Sequence, residues 1–170
     1  SGASYIVYGF ATGDTGQAAN TVLTGTDLAE TLNGGLGNDR IDGGLGNDVL
    51  IGGAGNDTLV YDAADTLRVD GGTGRDTLAI TGSGITLDLT ALNNFADTAQ
   101  TPKSPYKSIE IIDLTGMGDN TLRLDASDLL HIVGSATGTD DKRDNNLLRI
   151  DGDAGDTVQL TSGTWTRDVN

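Results

Sequence analysis

The chain has no cysteine. Disulfides therefore do not hold it together, although this alone does not fix the compartment. It has few aromatics, 4%, and 36% hydrophobic residues. A globule with a thick core is not expected from these values. A thin solenoid around one narrow apolar column suits them better. No apolar run approaches the roughly 18 residues that span a membrane, so membrane insertion is not expected. No secretory signal peptide opens the chain, and Ser1-Gly2 in place of methionine leads us to expect a fragment of something longer, monomeric as such. The single histidine, His131, lies in an apolar stretch and reads as a packed or partly exposed ring. No nucleophile sits beside a base, and no phosphate-cradling Gly-x-x-x-x-Gly-Lys-Ser/Thr occurs. Catalysis is not expected. Basic residues are scarce: 10 Lys and Arg stand against 25 Asp and Glu, giving a net charge of −15. That argues against nucleic acid or an anionic membrane as partner. Bound divalent cations would offset part of it.

Glycine is abundant, with 26 residues. Much of it falls in one pattern. From Asn33 the chain reads NGGLGNDRI, DGGLGNDVL and IGGAGNDTL. Each copy is Gly-Gly-x-Gly-x-Asp-x-U-x, with U a large apolar residue. Each splits into a six-residue turn and a short strand. Glycines at the first, second and fourth positions admit φ > 0 and leave the carbonyl oxygens unshielded. The sixth position gives a carboxylate, Asp39, Asp48 or Asp57, and the eighth an inward apolar residue, Ile41, Leu50 or Leu59. Carbonyls with carboxylates are the hard-oxygen set of Ca2+, six to eight around one ion. One turn has too few, so two turns must share each ion. The candidate ligands are therefore Gly34, Gly35, Leu36, Gly37 and Asp39 in the first turn. The second turn offers Gly43, Gly44, Leu45, Gly46 and Asp48, and the third Gly52, Gly53, Ala54, Gly55 and Asp57.

Two units make one coil, so turns eighteen residues apart stack on one edge. Asp57 lies over Asp39, and Asp48 faces the opposite edge. Strands stack about 4.8 Å apart. Two charges that close repel by roughly 1 kcal/mol in water, and about 3 at an effective dielectric of 20. An ion between them reverses the sign. Counting back from Asp39, TGTDLAETL is a degenerate copy with Gly25, Asp27 and Glu30 as candidates. It either shares an ion with the Asp48 turn or is a structural turn without metal. After Leu59 the period slips, through a deletion at Asp65 and a later two-residue insertion. Gly71, Gly72, Thr73, Gly74 and Asp76 still form a full turn, expected on the edge of Asp57. Tyr61–Asp65 would be the last turn of the other edge, with Asp62 or Asp65 as ligand.

These nonapeptides resemble the repeats-in-toxin (RTX) family of secreted bacterial proteins. The resemblance implies an all-β fold, a right-handed parallel β-roll with stacked Ca2+-binding turns, and about four ions. It also implies type I secretion, with its machinery as partner during export, and an extracellular or cell-surface location. SIEIIDLTG…NTL followed by DGDAGDTV is similar to the region after the repeats in giant bacterial adhesins. The expected organisation is a cap over 1–21, a calcium roll over 22–80, and a β region over 81–170 that caps or continues the coil. An RTX module of a secreted hydrolase or toxin is the alternative. Some RTX domains bind ice through columns at the third and fifth turn positions. Asn38, Asn47 and Asn56 match that pattern, but Leu36, Leu45 and Ala54 do not.

In the second half, Ile85–Leu92 alternates as a strand with one buried face. Asn93–Gln100 is read as a helical turn, and Thr101–Lys107, with both prolines, as an exposed loop. Ser108–Leu124 is two strands around a turn. Asp125–Val133 reads as a short helix capped by Asp125 or Ser127. Gly138–Asn146, with Asp140-Asp141, is a solvated loop. Asp151, Asp153 and Asp156 surround a glycine turn of calcium-loop character without full EF-hand spacing. Asp14 is read as an exposed loop acid and Trp165 as a plug of the far core.

Overall fold

The computed structural model describes residues 6–8, 19–91, 105–126, 128, 132 and 147–161. The nonapeptide places an apolar side chain inward once per short strand, and parallel stacking puts equivalent residues above one another. One sheet has the order β1 (Ile6–Tyr8), β3 (Thr31–Leu36), β5 (Val49–Ala54), β7 (Arg68–Thr73) and β10 (Tyr106–Lys107). The facing sheet runs β2 (Val22–Thr24), β4 (Arg40–Asp42), β6 (Thr58–Val60), β8 (Thr77–Ala79), β11 (Ile111–Asp113) and β13 (Arg149–Asp151). All pairs are parallel. The expected parallel β-roll is the observed architecture.

The registers carry the core. Leu32 pairs with Leu50, Leu50 with Val69, and Val69 with Tyr106. On the other side Leu23, Ile41, Leu59, Leu78, Ile112 and Ile150 stack in turn. Leu32, Ile41, Leu50, Leu59 and Leu78 are 0% exposed. Each such side chain contributes about 1.5–3 kcal/mol on burial. The period slip is absorbed on the surface. Leu67 follows Asp65-Thr66 as Leu59 follows Asp57-Thr58, yet it is 65% exposed, and Val69 at 1% takes the core position.

Beyond residue 80 the coil continues and gains a side. A third parallel sheet has the order β9 (Thr86–Asp88), β12 (Thr121–Leu124) and β14 (Thr157–Leu160). Leu87 and Leu122 are buried in register. A 3-10 turn, Leu89–Ala91, follows β9.

The reading of Thr101–Lys107 as an exposed loop is corrected at its end. Pro105 and Tyr106 are buried, and the Pro105 carbonyl accepts the Val69 N–H at 2.7 Å. Tyr106 closes the core column over Val69, against Tyr61 at a ring separation of 6.2 Å. Ala126, Asp128 and Ile132 are helical. Asp125 is the cap: its Oδ1 accepts the Asp128 N–H while Asp128 Oδ2 accepts the Asp125 N–H, a reciprocal box. The expectations for Asp14, Asn93–Gln100, His131, Gly138–Asn146 and Trp165 lie outside the described residues.

Candidate metal centre

Two glycine roles separate in the turns. The second and fourth positions adopt positive φ, as at Gly53 (φ 114) and Gly55 (φ 132). The first position does not, contrary to the expectation of φ > 0 there. Gly34, Gly43 and Gly52 are required for space instead. A Cβ on Gly52 would collide with Asp57 Oδ2 and the Gly71 carbonyl; one on Gly34 would meet Asp39 Oδ2 and the Gly52 carbonyl.

The aspartates form ladders along both edges. On the first, the Asp39 N–H donates to Asp57 Oδ1 and the Asp57 N–H to Asp76 Oδ1, each at 2.8 Å. The ladder begins at Thr21, whose N–H and hydroxyl both donate to Asp39 Oδ1. On the opposite edge, the Glu30 N–H donates to Asp48 Oδ1 at 2.8 Å and the Asp48 N–H to Asp65 Oδ1 at 2.7 Å. The predicted stacking thus holds: Glu30 with Asp48, Asp48 with Asp65, Asp76 with Asp57.

One oxygen of each aspartate is occupied, and the other is not. Oδ2 of Asp39, Asp48, Asp57, Asp65 and Asp76 is buried without a hydrogen-bond partner. Leaving such a group unmet costs about 1–3 kcal/mol, more when it is charged. Burial pushes the Asp57 carboxyl up to about 6, Asp65 to about 7 and Asp76 to about 8, and neighbouring carboxylates add to this; backbone hydrogen bonds oppose it. Burial raises Asp48 as well, ahead of the charges of Glu30 and Asp62. The remedy is a cation beside each Oδ2. Among the described residues no cluster of three or more His, Cys, Asp or Glu could hold a metal. The donors here are instead one or two carboxylates joined by backbone carbonyls of successive turns, the set that suits Ca2+.

The remaining candidates divide. Glu30 folds both oxygens back onto its own turn: Oε2 accepts the Thr26 N–H and Oε1 the Thr26 hydroxyl. It has no orphan oxygen of its own, so an ion there would rest on Asp48. Gly25 still lies against Glu30 Oε2 and the Gly43 carbonyl. Asp27 is exposed. Leu36 and Leu45 point outward, 57% and 63% exposed, so only their carbonyls are available to a metal. Third-position carbonyls also tie the rungs, Ala54 accepting from Gly37 and Thr73 from Gly55. The Gly43–Gly46 and Gly71–Gly74 turns repeat the other two, with Gly44, Gly46, Gly72 and Gly74 at positive φ, as are Gly35 and Gly37. The fifth-position asparagines form a ladder. Asn38 Oδ1 accepts the Asn56 N–H and Asn56 Oδ1 the Arg75 N–H.

Two ladder positions escaped the sequence reading. Glu110 Oε2 accepts the Asp76 N–H at 2.8 Å. Asn120 is the middle rung of a third ladder: its Oδ1 accepts the Ile85 N–H, and its N–H donates to Asp156 Oδ1. The signal was an acid or amide, any residue, then an aliphatic, as in Asp57-Thr58-Leu59, Glu110-Ile111-Ile112 and Asn120-Thr121-Leu122. At Asp156 both oxygens are engaged, Oδ2 by the Asp153 N–H, and these bonds lower its carboxyl. Asp151 Oδ1 meets Arg149 at 2.6 Å. The Asp151–Asp156 turn has no buried oxygen left without a partner.

A family model described as the RTX calcium-binding nonapeptide repeat (4 copies) matches residues 24–59. No curated protein and no solved structure matches the chain. The matched span holds Glu30, Asp39, Asp48 and Asp57, the rungs whose stacking defines both edges. Residues 24–59 are thus RTX nonapeptide repeats, a unit that binds Ca2+.

Proposed function

We propose that this is a non-enzymatic module of a bacterial adhesin, folded by extracellular Ca2+ after type I export. RTX repeats are a structural calcium-binding module of type I-secreted proteins. The observation that carries the reading is the set of five buried, unpartnered Oδ2 atoms, three along one edge and two along the other. Where calcium is scarce, those charges oppose folding, and the chain stays threadable through an exporter. Outside, the ion converts each into a favourable contact, so binding becomes folding free energy. Folding at the exit biases the chain against backsliding. The proposed ligands are the first- to fourth-position carbonyls with Asp39, Asp48, Asp57, Asp65 and Asp76. Residues 22–80 are the calcium roll; 1–21 and 81–170 close and extend it. The adhesin assignment rests on the likeness of Ser108–Leu124 and the Asp151–Asp156 turn to segments that follow adhesin repeats.

The test is a melting curve and hydrodynamic radius with and without calcium, for the parent and Asp48→Ala. Calcium should raise the melting temperature and compact the chain. Asp48→Ala should weaken both responses, because that turn contacts rungs on both sides. A chain indifferent to calcium in both measurements would falsify the reading.

A further inference from the structure

The first-edge ladder runs past the last nonapeptide. Asp76 is 0% exposed, and its Oδ2 has no hydrogen-bond partner. A Cβ on Gly71 would collide with Asp76 Oδ2 and with the Ser108 carbonyl oxygen. The same trio recurs below: Gly52 with Asp57 Oδ2 and the Gly71 carbonyl, then Gly34 with Asp39 Oδ2 and the Gly52 carbonyl. Ser108 therefore presents its carbonyl where each lower rung presents that of a first-position glycine. It does so with φ 52, the one non-glycine positive φ among the described residues. L side chains seldom adopt that conformation, and here it accompanies a carbonyl aimed at the cradle. Glu110 completes the likeness. Its Oε2 accepts the Asp76 N–H as Asp76 Oδ1 accepts that of Asp57. Glu110 follows Ser108 by two positions, whereas Asp76 follows Gly71 by five. Its extra methylene lets a shortened turn reach the same N–H.

We propose a further calcium site between the Gly71–Asp76 turn and the non-repeat segment Ser108–Glu110, with Asp76 Oδ2 and the Ser108 carbonyl among its ligands and Glu110 supplying the second carboxylate. The proposal rests on the calcium reading of the repeats and goes beyond it. The site lies outside the 24–59 block, and it ties the repeats to the chain that follows them. The carboxylate at its far rung comes from the residue before β11, in a segment that lacks the glycine pattern.

The test is anomalous diffraction from crystals of the 170-residue chain grown in calcium. A peak is expected between Asp76 Oδ2 and the Ser108 carbonyl, beside one at Asp39 and Asp57. A peak at Asp39 and Asp57 with none at Ser108 overturns this inference and leaves the repeat reading intact. Peaks at neither overturn both. Native mass spectrometry gives a second readout. Glu110→Gln should hold one ion fewer per chain, and Glu110→Asp, which keeps the charge, should regain it. An unchanged count in a folded Glu110→Gln chain overturns the assignment of Glu110. If that variant does not fold, the parent crystals still decide the site.

Discussion

At Asp57 one carboxylate oxygen accepts the Asp39 N–H and the other has no partner. At Asn120 the side-chain oxygen accepts the Ile85 N–H in the same way, but the second atom is an amide nitrogen. It donates to the carbonyls of Leu114 at 3.1 Å, Gly82 at 3.3 Å and Gly118 at 3.4 Å. Both residues are buried, and each precedes a strand by one position. A turn lined with carbonyls needs something positive at its centre. The repeat turns leave that place to an ion, whereas the Asn120 turn fills it from the chain. Under the proposed function, dependence on calcium turns on one side-chain atom, within one solenoid and one ladder geometry.

The largest test of this contrast is chelation. A ligand at a hundred times its dissociation constant stabilises by about 2.7 kcal/mol per site. Four sites together exceed about 10 kcal/mol, comparable to the whole stability of a typical domain. Hydrogen exchange in a chelator should show β3, β5, β4 and β6 losing protection, while β12 keeps more of its own. Simultaneous loss in β5 and β12 would mean that the Asn120 turn cannot stand without the roll.

A smaller effect is expected from Asp57→Asn. The amide keeps the oxygen that serves Asp39 but gives up the charge shared by the sites below and above. In saturating calcium the melting temperature should fall by the equivalent of about 3–5 kcal/mol, two sites being weakened. In chelator the sign should reverse, because a buried unpaired charge has gone. The reciprocal change, Asn120→Asp, removes the amide donor and places an unmet carboxylate oxygen beside three carbonyls. It should cost about 1–3 kcal/mol in chelator. Recovery on adding calcium would show that the turn had become a site. No loss would show that the amide bonds contribute nothing.

Most of the roll was legible because its period is short. Asp39, Asp48 and Asp57 recur every nine residues, and the turn fixes both edge and register. The first-position glycines were misread in role: they make room for the Asp Oδ2 of their own turn and for a carbonyl of the next coil, which no single repeat contains. Past Ile80 the coil spans 34 residues between Leu78 and Ile112, and no local period survives. There Glu110 and Asn120 fall within Ser108–Leu124, whose residues read only as two strands around a turn. Their ladder partners lie 34 to 36 residues away, at Asp76, Ile85 and Asp156. The two prolines drew Tyr106 into a loop reading, although the open core above Val69 decides its place.

The finest distinction is made with protons. Burial raises Asp57, Asp65 and Asp76 to about 6, 7 and 8, so the calcium-free fold holds protons that the unfolded chain releases above its ordinary carboxyl value of 3.8. Their favourable contribution is complete below that value and is lost as pH rises through the raised ones. A chelated chain should therefore show more β signal by circular dichroism at about pH 5 than at about pH 8.5. With calcium present the slope should reverse, because protons and the ion compete for the same Oδ2 atoms. Asn120 holds its turn with an amide in place of a carboxyl, so the amide protection there should follow pH less steeply than that of β5. A chelated chain whose β signal is flat across that interval would place the orphan oxygens in contact with water, and the distinction between the two kinds of turn would be lost.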